Sequence, residues 1–137
     1  MKTFYTAEVT ASGGRAGAAR SDDGVLDIAL SLPKSMGGDG DKTNPEQLFG
    51  AGYAACFENA VIFVAQQQKL ALKQTRVTAR VAMGQHDDGR FGLEVWLDVS
   101  GEGIQRSELE AVVAEADRLC PYSNAVRGNI PVQISIV

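Results

Sequence analysis

Two cysteines, one arginine and one glutamate carry the chemistry open to this chain. Cys56 lies in the apolar, small-residue run Gly50-Ala51-Gly52-Tyr53-Ala54-Ala55-Cys56-Phe57, and Cys120 stands immediately before Pro121. The first has the setting of a nucleophile awaiting activation, the second that of a resolving partner. The thiolate, not the thiol, reacts, so a reacting Cys56 needs a fixed cation beside it. It falls about three turns into its helix, beyond the reach of the helix dipole. Arg15 is the leading candidate, because a Gly13-Gly14 turn can aim a side chain inward, whereas Arg20, Arg76, Arg80 and Arg90 lie on or beside strands. Each residue also has a plainer reading. A lone buried cysteine commonly serves as a small hydrophobe, and an arginine on a turn is commonly solvated. Cys120 falls at the carbonyl end of a helix, where negative charge is disfavoured.

Glu46 sits in a first helical turn, where the dipole alone accounts for a carboxylate. It could also grip the Arg15 guanidinium in a two-pronged pair and orient it. Glu46 and Cys56 are separated by about 15 Å along a helix axis and roughly 80° around it, too far for both to meet in one chain. A site using both must be built across a dimer, and antiparallel helices crossing near Ala51 would bring one chain's Glu46 to the other's Cys56. Other constellations are weak. Asp39-Gly40-Asp41-Lys42-Thr43 begins like a calcium loop, but Asn44 and Gly50 occupy the positions where that loop needs Gly and Glu. The glycines there lack phosphate-loop spacing. His86 is the only histidine and falls in a turn, so neither a metal site nor a Cys-His dyad is expected.

The chain of 137 residues, 45% hydrophobic and 22% charged, has the size and composition of a single domain over 1–137 able to bury its own core. Its net charge of −4, with scattered Lys and Arg, offers no stripe for a phosphate backbone, so nucleic acid is not an expected partner. No signal core and no membrane-length span is read, so a membrane is not expected either and the cytoplasm is the expected location. In that reducing compartment a cysteine pair is catalytic, redox-sensing or metal-binding more often than a permanent staple.

The positioning elements follow from local pattern. Thr3 to Thr10, Ala16 to Arg20 and Val25 to Leu30, separated by turns at Ser12-Gly13-Gly14-Arg15 and Ser21-Asp22-Asp23-Gly24, read as a three-stranded meander. Residues 31–43 read as an exposed, mobile loop without regular structure. Asn44-Pro45-Glu46-Gln47 combines a capping Asn, Pro at the first helical position and Gln three residues after the cap. The apolar residues of that helix spread around the cylinder, which predicts packing on several sides. Its glycines cost about 1 kcal/mol each in helix propensity but permit the close approach of another helix. Two strands, Thr75 to Gly84 and Phe91 to Ser100, flank a hairpin turn. Ser107 with Glu110 reads as a capping box for a helix ending near Leu119, an irregular segment covers Tyr122 to Asn129, and a half-buried strand runs from Val132 to Val137. Strands before and after the helices, without regular alternation, give an α+β fold with a largely antiparallel sheet.

Taken together, Gly13-Gly14-Arg15, Asp23-Gly24-Val25-Leu26-Asp27, Met36-Gly37-Gly38, Asn44-Pro45-Glu46-Gln47-Leu48-Phe49, Ala51-Gly52-Tyr53-Ala54-Ala55-Cys56-Phe57 and Cys120-Pro121-Tyr122-Ser123-Asn124 resemble the organic hydroperoxide resistance proteins of the OsmC-like superfamily. The resemblance covers nearly the whole chain. It implies an intertwined homodimer, its sheets wrapped around two central helices, with two active sites at the subunit interface. It places the peroxidatic cysteine on Cys56, the resolving cysteine on Cys120, and the activating arginine and its carboxylate on Arg15 and Glu46. The implied activity is a thiol peroxidase that takes organic and fatty-acid hydroperoxides to alcohols through a sulfenic acid and a Cys56–Cys120 disulfide, with no metal, haem or flavin. Dihydrolipoyl groups of lipoylated proteins are the implied reductant. Met36, Phe49, Tyr53 and Phe57 are candidates to hold the organic tail, with core packing as their other reading. The charged Phe57-Glu58-Asn59 departs from the family pattern at the expected channel mouth. Two other functions fit a cysteine pair: a redox sensor or binding module without rapid turnover, and a structural disulfide.

Overall fold

The computed structural model describes every residue from Met1 to Val137. Within the length read as one domain there are two compact units, Met1–Leu48 and Phe49–Val137.

The first unit holds the expected meander. Strands β1 (Val9–Ser12), β2 (Ala18–Ser21) and β3 (Asp27–Ala29) pair antiparallel in that order. Val9 faces Ser21 and Ser12 faces Ala18 across the first pair, and Ala18 faces Ala29 across the second. The strands are shorter than the alternating sequence predicts. A segment patterned for a sheet forms ladder only where a partner runs beside it, and β2 ends at Ser21, where the chain turns through Asp22 and Asp23 to Gly24. That turn closes on a 2.9 Å bond from the Gly24 N–H to the Ser21 carbonyl. Asp23 Oδ1 supports it by accepting from the Ser21 hydroxyl and the Val25 N–H. Residues 31–43 are more ordered than a structureless loop. A 3-10 turn at Lys34–Met36 ends in left-handed Gly37, Gly38 and Gly40 donate to Pro33 and Leu32, and Leu30 bridges to Thr43.

Helix α1 (Pro45–Gln67) begins where the sequence says it should. Asn44 Oδ1 accepts the Gln47 N–H at 2.9 Å, filling one of the donors a helix start leaves open. Gln47 does not complete a reciprocal box, because its Oε1 accepts the Thr43 hydroxyl instead. The helix has 23 residues, an 18-residue window of mean hydropathy 1.5 and hence the length and composition of a membrane span, contrary to the sequence expectation. Its contacts are those of a core helix.

In the second unit β4 (Lys73–Gln85) and β5 (Phe91–Glu102) form a long antiparallel hairpin, and β6 (Val132–Ile136) joins β5 in parallel, Val95 beside Val132 and Val99 beside Ile136. The sheet is therefore mixed, because the chain crosses over through two helices before returning. Helix α2 (Arg106–Leu119) starts two positions earlier than the expected box requires: the Gln105 N–H donates to Glu108, and Glu110 pairs with Arg106 instead. The segment after Cys120 is not irregular. Pro121–Val126 forms a short helix, α3, with Pro at its first position, where a missing N–H costs nothing.

The core gathers Tyr53, Phe57, Val61 and Val64 of α1, Val95, Leu97 and Val99 of β5, and Leu109, Val112 and Ala116 of α2. Each large apolar side chain withdrawn from water contributes about 1.5–3 kcal/mol, so this cluster is the main stabilising term of the unit. The buried α1 residues, Gly50, Tyr53, Phe57, Ala60, Val61, Val64 and Ala65, recur at helical spacing on one stripe. Ala51, Ala55, Ile62 and Phe63 stay exposed. Packing on several sides is thus not achieved by the chain alone. The small-residue run does admit close neighbours within the chain, strand β4 at Gly50 and the Tyr122 side chain of α3 at Gly52. A Cβ on Gly50 would lie 3.4 Å from Val81, and one on Gly52 would lie 2.5 Å from the Tyr122 hydroxyl.

Candidate active site

Arg15 is presented by a turn that only glycine can make. Gly13 and Gly14 have φ of 82° and 58°, in the left-handed region where side chains are costly. A Cβ on Gly17 would fall 1.8 Å from the Ser12 carbonyl oxygen. These three glycines reverse the chain between β1 and β2 around a 3-10 turn, Gly14–Ala16. Arg15 Nη1 donates to Glu46 Oε2 at 2.7 Å and Nη2 to Oε1 at 2.5 Å. This parallel two-bond geometry fixes the plane of the guanidinium as well as its position. Hydrogen bonding to Glu46 raises the Arg15 pKa, and the bond from Arg15 holds the Glu46 carboxyl below its ordinary value against burial. The pair stays doubly charged across the neutral range. Asn44 contributes indirectly, since its cap fixes the helix turn on which Glu46 rides.

The second unit brings the two cysteines together. Cys56 projects from α1 half-buried, while Cys120 is 0% exposed at the junction of α2 and α3. Backbone bonds hold Cys120 from both sides: its N–H donates to Ala116 at 2.8 Å and its carbonyl accepts the Asn124 N–H at 2.9 Å. Both are free thiols, and they are close enough, across 64 residues of chain, for Cys120 to act on the ionisation of Cys56. Burial pushes the Cys56 thiol above its ordinary 9.0, the neighbouring Cys120 adds to that rise, and the backbone N–H of Tyr122 opposes it. Within its own unit Cys56 is therefore a protonated thiol at neutral pH, so the cation that the sequence reading demanded is needed all the more.

The aromatic candidates separate by exposure. Tyr53 and Phe57 are both 0% exposed and belong to the core. Phe49 is partly buried and meets Tyr53 edge-on at 6.1 Å and Tyr122 at 6.3 Å. Met36, in the first unit, is 43% exposed. Glu58 is held by the Thr75 hydroxyl at 2.8 Å, which places this carboxylate toward β4. Tyr122 was not singled out from the sequence. Its ring fills the space over Gly52, tilted against Tyr53 at 5.8 Å, and its backbone lowers the Cys56 pKa against the effect of burial. The available signal was its place two residues after Cys120. No group of three or more His, Cys, Asp or Glu side chains is gathered as a metal site would need.

The OsmC-like protein family profile matches residues 38–135. The organic hydroperoxide resistance protein of Xanthomonas axonopodis pv. citri (strain 306) is 49% identical over 137 residues, covering 98% of this chain and 96% of its own length. Organic hydroperoxide resistance protein OhrA of Bacillus subtilis (strain 168) is 44% identical, covering 97% and 96%. Among solved structures, an organic hydroperoxide resistance protein of Vibrio cholerae with captopril in one of its active sites superposes with a TM-score of 0.96 at 48% identity, covering 99% of this chain and 94% of that one. The organic hydroperoxide resistance protein OsmC of Legionella pneumophila gives a TM-score of 0.95 at 45% identity and 98% coverage of each chain. With this agreement in sequence, fold and length, the chain belongs to the OsmC-like family, on the branch of the organic hydroperoxide resistance proteins.

Proposed function

We propose that this protein serves organic hydroperoxide resistance as a cysteine-based peroxidase. The carrying observation is the thiol pair: partly buried Cys56 with buried Cys120 as its neighbour, neither sulfur tied in a disulfide. The Cys56 thiolate attacks the distal peroxide oxygen, an S–O bond forms, the O–O bond breaks, and the alkoxide takes a proton to leave as the alcohol. The Cys120 sulfur then attacks Cys56. An S–S bond forms, the S–O bond breaks, and the departing hydroxide takes the Cys120 proton as water. A small dithiol of the dihydrolipoyl class reopens the disulfide by two exchanges and leaves as a cyclic disulfide. Atoms and electrons balance with two protein thiols and an external dithiol, so the cycle calls on no further cofactor. The related Vibrio cholerae protein holds captopril, itself a small organic thiol, in an active site, which fits a pocket that admits a thiol reductant.

Activation comes from a second copy of the chain. The exposed Ala51, Ala55, Ile62 and Phe63 face of α1, with exposed Phe4 and Tyr5, gives apolar surface for a homodimer. The oriented Arg15–Glu46 pair of one chain then supplies the positive charge for Cys56 of the other. We assign the organic tail to Phe49 and Tyr122, whose rings meet at 6.3 Å, and keep exposed Met36 of the first unit as a further candidate. The reducing cytoplasm supplies the dithiol state in which the cycle begins. The test is hydroperoxide consumption with dihydrolipoamide: turnover disappears in Cys56→Ser, and full turnover in that variant rules the function out.

A further inference from the structure

Beside the thiols lies a buried hydroxyl pair that the steps above leave unused. Tyr53 Oη and Ser123 Oγ are 2.9 Å apart, with the residues 0% and 2% exposed, and Ser123 is the single polar residue among the buried ones. Their places on the chain give the pair its meaning. Tyr53 precedes Cys56 by three residues, about one turn of α1, and Ser123 follows Cys120 by three residues, inside α3. The hydroxyl pair thus ties α1 to α3 by a rung alongside the sulfur pair. The rung lies at the wall of a cavity of about 190 Å³, lined among others by Tyr53, Ser123, Asp117, Arg127, Val126 and Val132, so α3 is not packed on every side. The far end of α3 is fastened separately: Arg127 donates to the Asp117 carbonyl at 2.6 Å and to Asn124 at 2.5 Å.

We infer that Tyr53 and Ser123 are positioning residues for disulfide closure, their hydrogen bond holding α3, and with it Cys120, where its sulfur can displace hydroxide from the Cys56 sulfenic acid. The catalytic use of this device rests on the peroxidase reading; the geometric claim about the two sulfurs does not. The competing explanation is purely structural. A buried tyrosine hydroxyl needs a partner in any case, and its loss then lowers stability without altering how readily the thiols join.

The experiment is a redox titration of the Cys56–Cys120 pair against reduced and oxidised glutathione, which reads the effective concentration of one thiol at the other and needs no peroxide. Ser123→Ala and Tyr53→Phe each lower that concentration about three- to tenfold, the equilibrium factor of one lost hydrogen bond. Ser123→Thr keeps the hydroxyl, its extra methyl has the adjoining cavity, and it restores the wild-type equilibrium. After excess alkyl hydroperoxide, the two deletion variants carry a larger share of Cys56 as sulfinic acid, because a slower resolving step leaves the sulfenic acid exposed to further oxidation. Ser123→Ala removes one atom, so it carries the test should Tyr53→Phe fail to fold. Unchanged glutathione equilibria and sulfinic shares, with only a lower melting temperature, overturn the positioning role. Wild-type protein that closes its disulfide with glutathione but consumes no hydroperoxide overturns the peroxidase reading and leaves the positioning role standing. Wild-type protein that closes no disulfide at any glutathione ratio overturns both.

Discussion

Arg15→Ala gives the most quantitative test of how Cys56 is activated. Within its own unit the thiol is pushed above 9.0 by burial and by Cys120, and such a thiol is about one per cent thiolate or less at pH 7. A guanidinium fixed within about 4–6 Å lowers a neighbouring acid by about 1–3 units. A two-unit fall raises the thiolate population about a hundredfold, but intrinsic nucleophilicity declines with basicity at a slope of about 0.4–0.5. The net gain at pH 7 is then about tenfold, and removal of Arg15 forfeits it. The sign reverses in alkali. Once the pH passes the raised pKa of the variant, both thiols are ionised and the variant, with the more basic sulfur, is the faster nucleophile. The assay is single-turnover consumption of a limiting alkyl hydroperoxide in a Cys120→Ser background, followed from neutral to alkaline pH by quenching and alkylation. Wild-type and Arg15→Ala profiles crossing in alkali are the expected result. Parallel profiles with the same inflection remove Arg15 from the activation of Cys56.

Three further outcomes follow from the first unit. Glu46 has its carboxyl below the ordinary 4.5 because Arg15 bonds to it, so the folded state binds fewer protons than the unfolded one and the stabilisation is present above 4.5 and lost as pH falls through the folded value. With Arg15 36% and Glu46 16% exposed, solvent screening holds this to about 1 kcal/mol; the melting temperature of Glu46→Gln should lie a few degrees below wild type at neutral pH and converge with it as the pH drops below 4.5, and a constant gap would contradict the linkage. Gly17→Ala drives a Cβ to 1.8 Å from the Ser12 carbonyl oxygen, so it should distort the Arg15 turn and abolish hydroperoxide turnover; a fully active variant would show the turn to be dispensable. Asn44→Ala removes the bond to the Gln47 N–H and should cost about 1 kcal/mol in denaturant unfolding, with no loss contradicting the cap.

What could be read in the sequence was what local chemistry decides. Asn44 and Pro45 announce α1 because capping and a fixed φ act within one turn, and the glycines around Arg15 announce a reversal because side chains are excluded there. The Arg15–Glu46 pair was legible only as one possibility beside a dipole-favoured carboxylate and a solvated arginine, and it was the family resemblance that selected it. Long-range relations were not. Nothing local orders β6 to run parallel to β5, and α3 was hidden because Pro121 signals the end of one helix as strongly as the start of the next. The Gln105–Glu108 box was overlooked beside Ser107–Glu110 because both have the same spacing, and Arg106 claims Glu110. The alternation from Thr3 to Thr10 shows fitness for a sheet but not how far a neighbour extends, hence the short β1. The rise of the Cys56 pKa depends on burial and on a residue 64 positions away, neither of which spacing reveals. Ser123, seen in the sequence only as one letter of the Cys120–Asn124 motif, acquires a role of its own only when Tyr53 is seen across from it.

The most direct measurement is mass spectrometry of the fully reduced protein after one equivalent of an organic hydroperoxide, then after dihydrolipoamide. Loss of two hydrogens, a single cross-linked peptide joining Cys56 to Cys120, and return of both free thiols with the dithiol are the predicted results. Cysteines that both remain alkylatable after the hydroperoxide has been offered, or a Cys56 left untouched while Cys120 is oxidised, would contradict the account at its centre.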